Sequence, residues 1–402
     1  MIIGIVGDTH FGISKWYEES MSQGRDALVK AAKLSDVILL AGDVFHVNQP
    51  GIRVLNDVIS IFREVGNIKE WDVQLFDGED ELHTPPIIAI HGNHERATRG
   101  NVDPVRFLSN LGLLVDADDR VIRIHKGDDR VAVHCMGDVL DDLAREKLNQ
   151  LNFKPLPGYV NLLMIHQSLQ EVMFPDPNIL SVKDLPHGFD LYICGHIHTR
   201  HELPEHNLLI PGSTVITQLE EPETKEKGFY LYDTETKKLT FHPIKQRPFI
   251  FRTITFENGS LAEIEERVKE EVNNILESFA GRDENPIIKI QLTGTVKSGV
   301  DLSGIKFKFN HPDVYISSKL SSQELERKVQ LIRELREKKV SLRDIGTMAI
   351  AKKLSDVDVD KLSQLLDIVE EDEKQALSMI EERLRERLSE EGRSNSNHDR
   401  PG

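Results

Sequence analysis

Short runs of aliphatic and β-branched residues, each stopped by a polar motif, recur through the first 245 residues of this 402-residue chain. IIGIVG stops at Asp8-Thr9-His10, VILLAG at Asp43-Val44-Phe45-His46, and IIAIHG at Asn93-His94-Glu95. NLLMIH closes on His166, and LYICG runs into His196-Ile197-His198. Runs this short and branched read as buried strands. Helical patterns separate the first of them, around Ala27–Leu34 and over Ile52–Val65, where Val54, Leu55, Val58, Ile61 and Phe62 share one face. VRFLSNLGLL and DLAREKLNQL also read as helices. Such alternation predicts an α/β layered domain. The last strand-like runs, DLYICGH, NLLIPG, GFYLYD and LTFHPI, come without long helices between them, which predicts a second sheet packed on the first.

The pattern changes near Arg247–Pro248. FIFRTITFE, LAEIEERVKEEVNNILESF, PIIKIQLTGTV, IKFKFN and VYISSKL read as a compact α+β unit over 246–320. From Ser321 the pattern reads as helix, with one stripe of Leu325, Val329, Ile332 and Leu335 and another of Leu362, Leu366, Val369, Leu377, Ile380, Leu384 and Leu388. The final stretch, 393–402, is polar and reads as disordered. The predicted division is therefore 1–245, 246–320, 321–392 and a tail. The acidic, turn-rich segment 69–86 interrupts the rhythm and reads as a surface hairpin or loop.

Composition removes several function classes. No apolar stretch is long enough to span a membrane, and MIIGIVGDTH lacks the basic segment and cleavage site of a secretory signal. Cys135 and Cys194 sit inside apolar runs and read as reduced core residues, which suits the cytoplasm. The net charge of −17 argues against a nonspecific nucleic-acid coat.

The chemistry lies at the strand ends, where α/β sheets gather their ligands. Asp8, Asp43 and Asn93 with four imidazoles, His10, His166, His196 and His198, offer oxygen and nitrogen donors without sulfur. That set suits Mn²⁺, Fe²⁺ or Zn²⁺ better than Mg²⁺ alone or a soft metal. Seven ligands exceed one ion and fit two, with Asp43, central in the set, as the bridging carboxylate. Two such ions activate water and clamp a phosphate, and a nearby imidazole can protonate the leaving group. His91 lies inside its strand and reads as a core histidine. Arg53, Arg96 and Arg99 flank the motifs, as phosphate contacts or as solvated surface.

The series DTH, GDVFH, GNHE, IHQ and GHIH resembles the calcineurin-like metallophosphoesterases. GDVFH, IHQS and the loop IPGSTVITQLEEPETKEKGFYLYD narrow the resemblance to the SbcD / meiotic-recombination-eleven family of DNA double-strand-break repair nucleases. The resemblance implies a two-sheet metallophosphoesterase sandwich over 1–245, a DNA-binding α+β cap over 246–320 and a helical C-terminal segment over 321–392. It implies two Mn²⁺ ions, one held by Asp8, His10, Asp43 and His198, the other by Asp43, Asn93, His166 and His196. His94 would be general acid or transition-state stabiliser, and His46 would contact the phosphate or the DNA end. The implied activity is 3′–5′ exonuclease and single-strand endonuclease. The implied partners are DNA ends, an SMC-like Rad-fifty-type ATPase docked on the C-terminal helices, and a second copy of the chain, met through helices of the first 115 residues. The implied location is cytoplasmic, at the nucleoid. Two alternatives use the same residues differently: a phosphodiesterase for cyclic nucleotides or other small diesters, which needs neither cap nor tail, and a DNA-tethering scaffold with a vestigial site. The 362–388 stripe fits either the chain's own domain or a partner's coiled coil.

Overall fold

The computed structural model describes residues 1–322 apart from 98–100, 174, 283, 298–306, 308 and 310. The expected strand IKFKFN lies mostly outside the described residues, and so does the expected helical segment beyond Ser322. The chain begins β1 (Ile2–Val6), α1 (Tyr17–Leu34), β2 (Val37–Leu40) and α2 (Ile52–Gly66). It continues β3 (Gln74–Asp77), β4 (Asp80–Leu82), β5 (Ile87–Ala89), α3 (Pro104–Asn110) and β6 (Val115–Asp116). Then come β7 (Val121–Lys126), β8 (Asp129–Met136), α4 (Asp141–Leu151), β9 (Val160–His166) and β10 (Leu191–Gly195). β11 (His201–Leu203), β12 (Leu208–Ile210), β13 (Gly228–Asp233) and β14 (Lys238–Pro243) follow. The last described elements are β15 (Phe249–Gly259), α5 (Leu261–Ser278), β16 (Ile287–Val296) and β17 (Val314–Ser322). Ser321 and Ser322 thus end a strand and do not open a helix.

Two sheets carry the first part of the chain. One has the order β14-β13-β1-β2-β5-β6, the other β11-β12-β10-β9-β8-β7-β3-β4. Successive side chains on a strand point to opposite faces, and both faces are apolar here. Ile3 and Ile5 of β1, Val37 and Leu39 of β2, Leu162 and Met164 of β9, and Leu191 and Ile193 of β10 fill the layer between the sheets. The alternate residues Ile38 and Leu40 face Ala27, Leu28, Ala31, Val58 and Phe62 of α1 and α2. Leu163, Ile165, Tyr192 and Cys194 face Ala144 and Leu148 of α4. The result is helices, sheet, sheet and helix in four layers, the predicted α/β sandwich. Cys135 and Cys194 are both free and buried.

The 69–86 segment contains a hairpin. β3 and β4 pair antiparallel across Gly78, whose φ is +57°, and β3 pairs β7, so the hairpin ends the larger sheet. Leu75 is buried between the sheets, which is why an acidic segment holds this register.

The described residues fall into two compact units. The first holds those of 1–254, 265–292 and 306–318, the second those of 255–264, 293–305 and from 319 onward. β15, β16 and β17 form a third sheet in that order. In the first unit, Phe249 and Ile287 join Ile13, Trp16, Val215 and Ile216 in one apolar cluster. Arg247 bridges Glu19 at 2.8 Å and also pairs with Asp313. In the second unit, Gly294 has a φ of +94°, and a Cβ there would lie 2.1 Å from the Phe256 carbonyl oxygen. Among the described residues no helix is long and apolar enough to cross a membrane.

Candidate metal centre

β1, β2 and β5 are parallel neighbours in one sheet, and β9 and β10 are parallel neighbours in the other. Their carboxyl ends therefore open on one side, and the loops that follow meet there. Glycines permit the meeting. A Cβ at Gly195 would lie 2.0 Å from the Ala41 carbonyl oxygen, so the two sheets touch at this edge. A Cβ at Gly92 would lie 2.1 Å from Asp43 Oδ1, and one at Gly42 would lie 2.3 Å from His166 Nδ1. The backbone is also bent where it presents donors. His10, Asp43 and His196 have φ of 44°, 47° and 82°, a region costly for residues with a side chain and retained mainly at functional sites.

The seven residues singled out as ligands come together. Asp8, His10, Asp43 and His198 form one group of donor atoms within 4.8 Å of one another, and Asp43, His166 and His196 form another. Asn93 joins the second group, its Oδ1 lying 3.0 Å from His196 Nδ1 and 3.3 Å from His166 Nε2. Asp43 belongs to both. Asp43 Oδ2 stands 3.5 Å from His166 Nε2 and 3.8 Å from His10 Nε2, and Asp8 Oδ2 stands 3.6 Å from His198 Nε2. His10 Nε2 and His198 Nε2 are 3.1 Å apart. Asp8 Oδ2 and Asp43 Oδ2 are buried without a hydrogen-bond partner. Donors about 2.0–2.2 Å from one ion stand ~3–4 Å from each other. Two buried anionic oxygens with no donor, ringed by imidazole nitrogens at such separations, fit divalent cations.

The histidines are prepared for that role. His166 donates its Nδ1–H to the Ala41 carbonyl at 2.7 Å, which leaves Nε2 facing Asp43 and Asn93. Burial disfavours its cation, yet Asp43 and Asp8 hold a proton there up to about 10, the same field that draws a metal ion. Burial lowers His196 to about 4 and His198 to about 3, so both are neutral at pH 7. Burial, reinforced by Asp43, raises Asp8 to about 7, with His166 opposing. Asp43 is also penalised by burial, but His166, His10 and His94 keep its carboxylate well below the usual range.

His94 and His46 lie beside the donor set. The His94 backbone N–H donates to Asp43 Oδ1 at 3.0 Å, and its Nδ1–H donates to the His46 carbonyl at 2.8 Å. The two rings stack at 4.8 Å with a 31° tilt, and His46 Nδ1 is 3.4 Å from His10 Nδ1.

A calcineurin-like phosphoesterase family model matches residues 1–200. The double-strand break repair protein MRE11 of Coprinopsis cinerea is 26% identical over 334 residues, 65% of this chain and 44% of its own length. The MRE11 of Encephalitozoon cuniculi is 25% identical over 77% of this chain and 57% of its own. The DNA double-strand break repair protein Mre11 of Sulfolobus acidocaldarius is 26% identical over 81% of this chain and 85% of its own. These matches make the chain similar to the Mre11/SbcD family of calcineurin-like phosphoesterases. The chain spans about half the length of the first two relatives, at 44% and 57%.

The loops rest on groups outside the seven ligand candidates. Glu95 is fully buried and accepts from the backbone N–H of Phe45 at 2.7 Å and of Gly92 at 2.9 Å, tying two of the loops together. Burial, with Asp43 adding, pushes its carboxyl up to about 8. His91 is partnered by Asp118 and by the Asp138 carbonyl at 3.1 Å, and Asp138 also pairs with Arg96. Arg96 is thus committed to a carboxylate, whereas Arg53 is exposed beside Glu18. The position of Glu95 directly after Gly-Asn-His was its only signal. Asp118 and Asp138 carried none, because their partners are distant in sequence.

Proposed function

We propose that this chain is a Mn²⁺-dependent DNA nuclease, 3′–5′ exonuclease and single-strand endonuclease, acting in double-strand-break repair with an SMC-like Rad-fifty-type ATPase. The observation that carries the reading is the Asp43 carboxylate, which belongs to both donor groups and also accepts from the His94 backbone. One ion would be held by Asp8, His10, Asp43 and His198, the other by Asp43, Asn93, His166 and His196. Two divalent ions in such a site polarise a phosphodiester and activate water at neutral pH. His94, with Nδ1 spent on the His46 carbonyl, keeps Nε2 as the nitrogen that holds a proton for the leaving oxygen. His46, half-buried at the mouth, contacts the phosphate or the DNA end. The relatives reported above carry the repair name and do not favour the small-diester alternative.

The proposed division is 1–245 nuclease domain, 246–320 DNA-binding cap and 321–392 ATPase-binding segment, and the expected tail 393–402 lies outside the described residues. The proposed location is cytoplasmic, at the nucleoid. A homodimer is supported by apolar side chains left exposed on α2, on α3 and just after α3, namely Ile52, Phe107 and Leu111. The test is a nuclease assay on end-labelled duplex with Mn²⁺ against Mg²⁺, with and without a co-expressed ATPase partner. Release of 3′ nucleotides with Mn²⁺ is expected. Hydrolysis of small diesters with no action on DNA under any of these conditions overturns the proposal.

A further inference from the structure

The loop from Pro211 to Lys227 carries a buried polar chain that ends on a ligand. Glu223 and Lys227 are each 5% exposed. Lys227 Nζ lies 2.5 Å from Glu223 Oε2, 2.9 Å from Ser213 Oγ and 3.1 Å from the His198 carbonyl oxygen. Ser213 gives its single proton to the Val215 carbonyl at 2.7 Å, so it accepts from Lys227. All three acceptors are thus filled by the three protons of an ammonium, and the Glu223 carboxylate stands against a fixed cation. Thr217 Oγ1 lies 3.0 Å from Glu223 Oε1 and touches His198 Nδ1.

The direction of each bond follows from proton count. A carboxylate only accepts, so the one hydroxyl proton of Thr217 goes to Glu223. Thr217 must then accept from His198, which places the ring proton on Nδ1. The bare Nε2 lone pair faces Asp8 Oδ2 at 3.6 Å and His10 Nε2 at 3.1 Å. We propose that Glu223 and Thr217 are positioning residues that set the tautomer of His198 and so complete the cation site formed with Asp8, His10 and Asp43. Lys227 anchors the chain at its far end. The inference rests on the reading that His198 is a metal ligand. It adds that this ligand's competence is decided by a loop carrying no ligand of its own. His166 achieves the same tautomer with a backbone carbonyl, so the two donor groups have independent supports.

The independence makes the test specific. Mn²⁺ is titrated into the full chain, with free Mn²⁺ read by electron paramagnetic resonance, for the wild type, Thr217→Val, Thr217→Ser, Glu223→Gln and His198→Ala. Changes in groups that orient a ligand typically cost about 10–100-fold in metal affinity. Thr217→Val is expected to weaken one Mn²⁺ by that factor and leave the other unchanged, and Thr217→Ser is expected to restore it. In Glu223→Gln, Lys227 holds the amide oxygen, the NH₂ faces Thr217, and the bond direction reverses, so the same single ion is lost. Wild-type affinity for both ions in Thr217→Val overturns the proposal. So does equal weakening of both ions, which marks a general loss of structure. If His198→Ala leaves both ions in place, the metal-ligand reading itself falls.

Discussion

Asp43 is where the chemistry of this chain concentrates. It is buried, stands at a φ of 47°, accepts from the His94 N–H through one oxygen and offers the other to both donor groups. Asp43→Asn keeps the shape and removes the charge, so loss of both cations with retained secondary structure is expected, measured as metal content after gel filtration together with circular dichroism. His94 is expected to behave differently, because its Nδ1 is engaged with the His46 carbonyl and not with the donor set. His94→Ala should lower DNA cleavage by about 10²–10⁴-fold, the usual contribution of a general acid, while both ions stay bound. Loss of metal together with activity would make His94 a ligand. All seven ligand candidates were legible as residues, because each directly follows or closes an apolar run. Glu223 and Thr217 were not, since nothing in their loop's composition says which side chains turn inward.

At the scale of elements, strand ends and helices contribute separately. The edge where β2 and β10 meet is close because position 195 has no side chain. Gly195→Ala would place a Cβ 2.0 Å from the Ala41 carbonyl oxygen and 2.7 Å from His166 Nδ1. Overpacking of this kind costs about 1–3 kcal/mol, and here the displaced ring is one of the proposed ligands. Weaker Mn²⁺ binding is therefore expected alongside a lower urea midpoint; unchanged values for both would show that the sheets can part without disturbing the site. None of the seven ligand candidates lies within a helix. Phe62 of α2 is fully buried against β2 and α1, and Phe62→Ala should cost about 3–5 kcal/mol, read from chemical denaturation, with metal stoichiometry kept in the folded protein. The periodicity of α2 was plain in sequence, and its observed span, Ile52–Gly66, differs from the predicted one by a residue. α1 begins at Tyr17, ten residues before its expected start at Ala27, because Ser20, Gln23 and Gly24 are buried though not apolar.

Over the whole molecule, the layers are joined at the edge opposite the site by an ionic clasp. Asp36, just before β2, accepts from the Ile2 N–H at 2.8 Å and from Lys126 Nζ of β7, in the other sheet, at 2.7 Å. Burial alone would raise the Asp36 carboxyl, but the Ile2 N–H and Lys126 outweigh it and hold it below the usual carboxylate value. Its folded pKa is depressed, so its contribution is present above the unfolded value of about 3.9 and is lost as pH falls through the lower folded one. Asp36→Asn should cost about 1 kcal/mol at pH 7, since the pair is partly solvated. The gap between wild type and variant should close below pH 4 in urea titrations; a gap that persists there would place the effect in packing and not in charge. Part of the net charge of −17 gathers at the motifs, where Asp8 and Asp43 belong to the candidate cation site and Asp118 and Asp138 to structural pairs.

The sequence by itself determined the layers and the candidate ligands. Strand and helix periodicities are local, and an apolar run followed by Asp, Asn or His announces a strand end bearing a donor. Tertiary structure decided which donors come together, because that depends on two sheets meeting at Ala41 and Gly195, residues more than 150 positions apart with no local mark of their contact. It also decided the supports of those donors, from Glu95 across two loops to the chain from His198 to Lys227. A hydrogen bond's direction depends on every proton along its path, and the path closes only once the chain has folded.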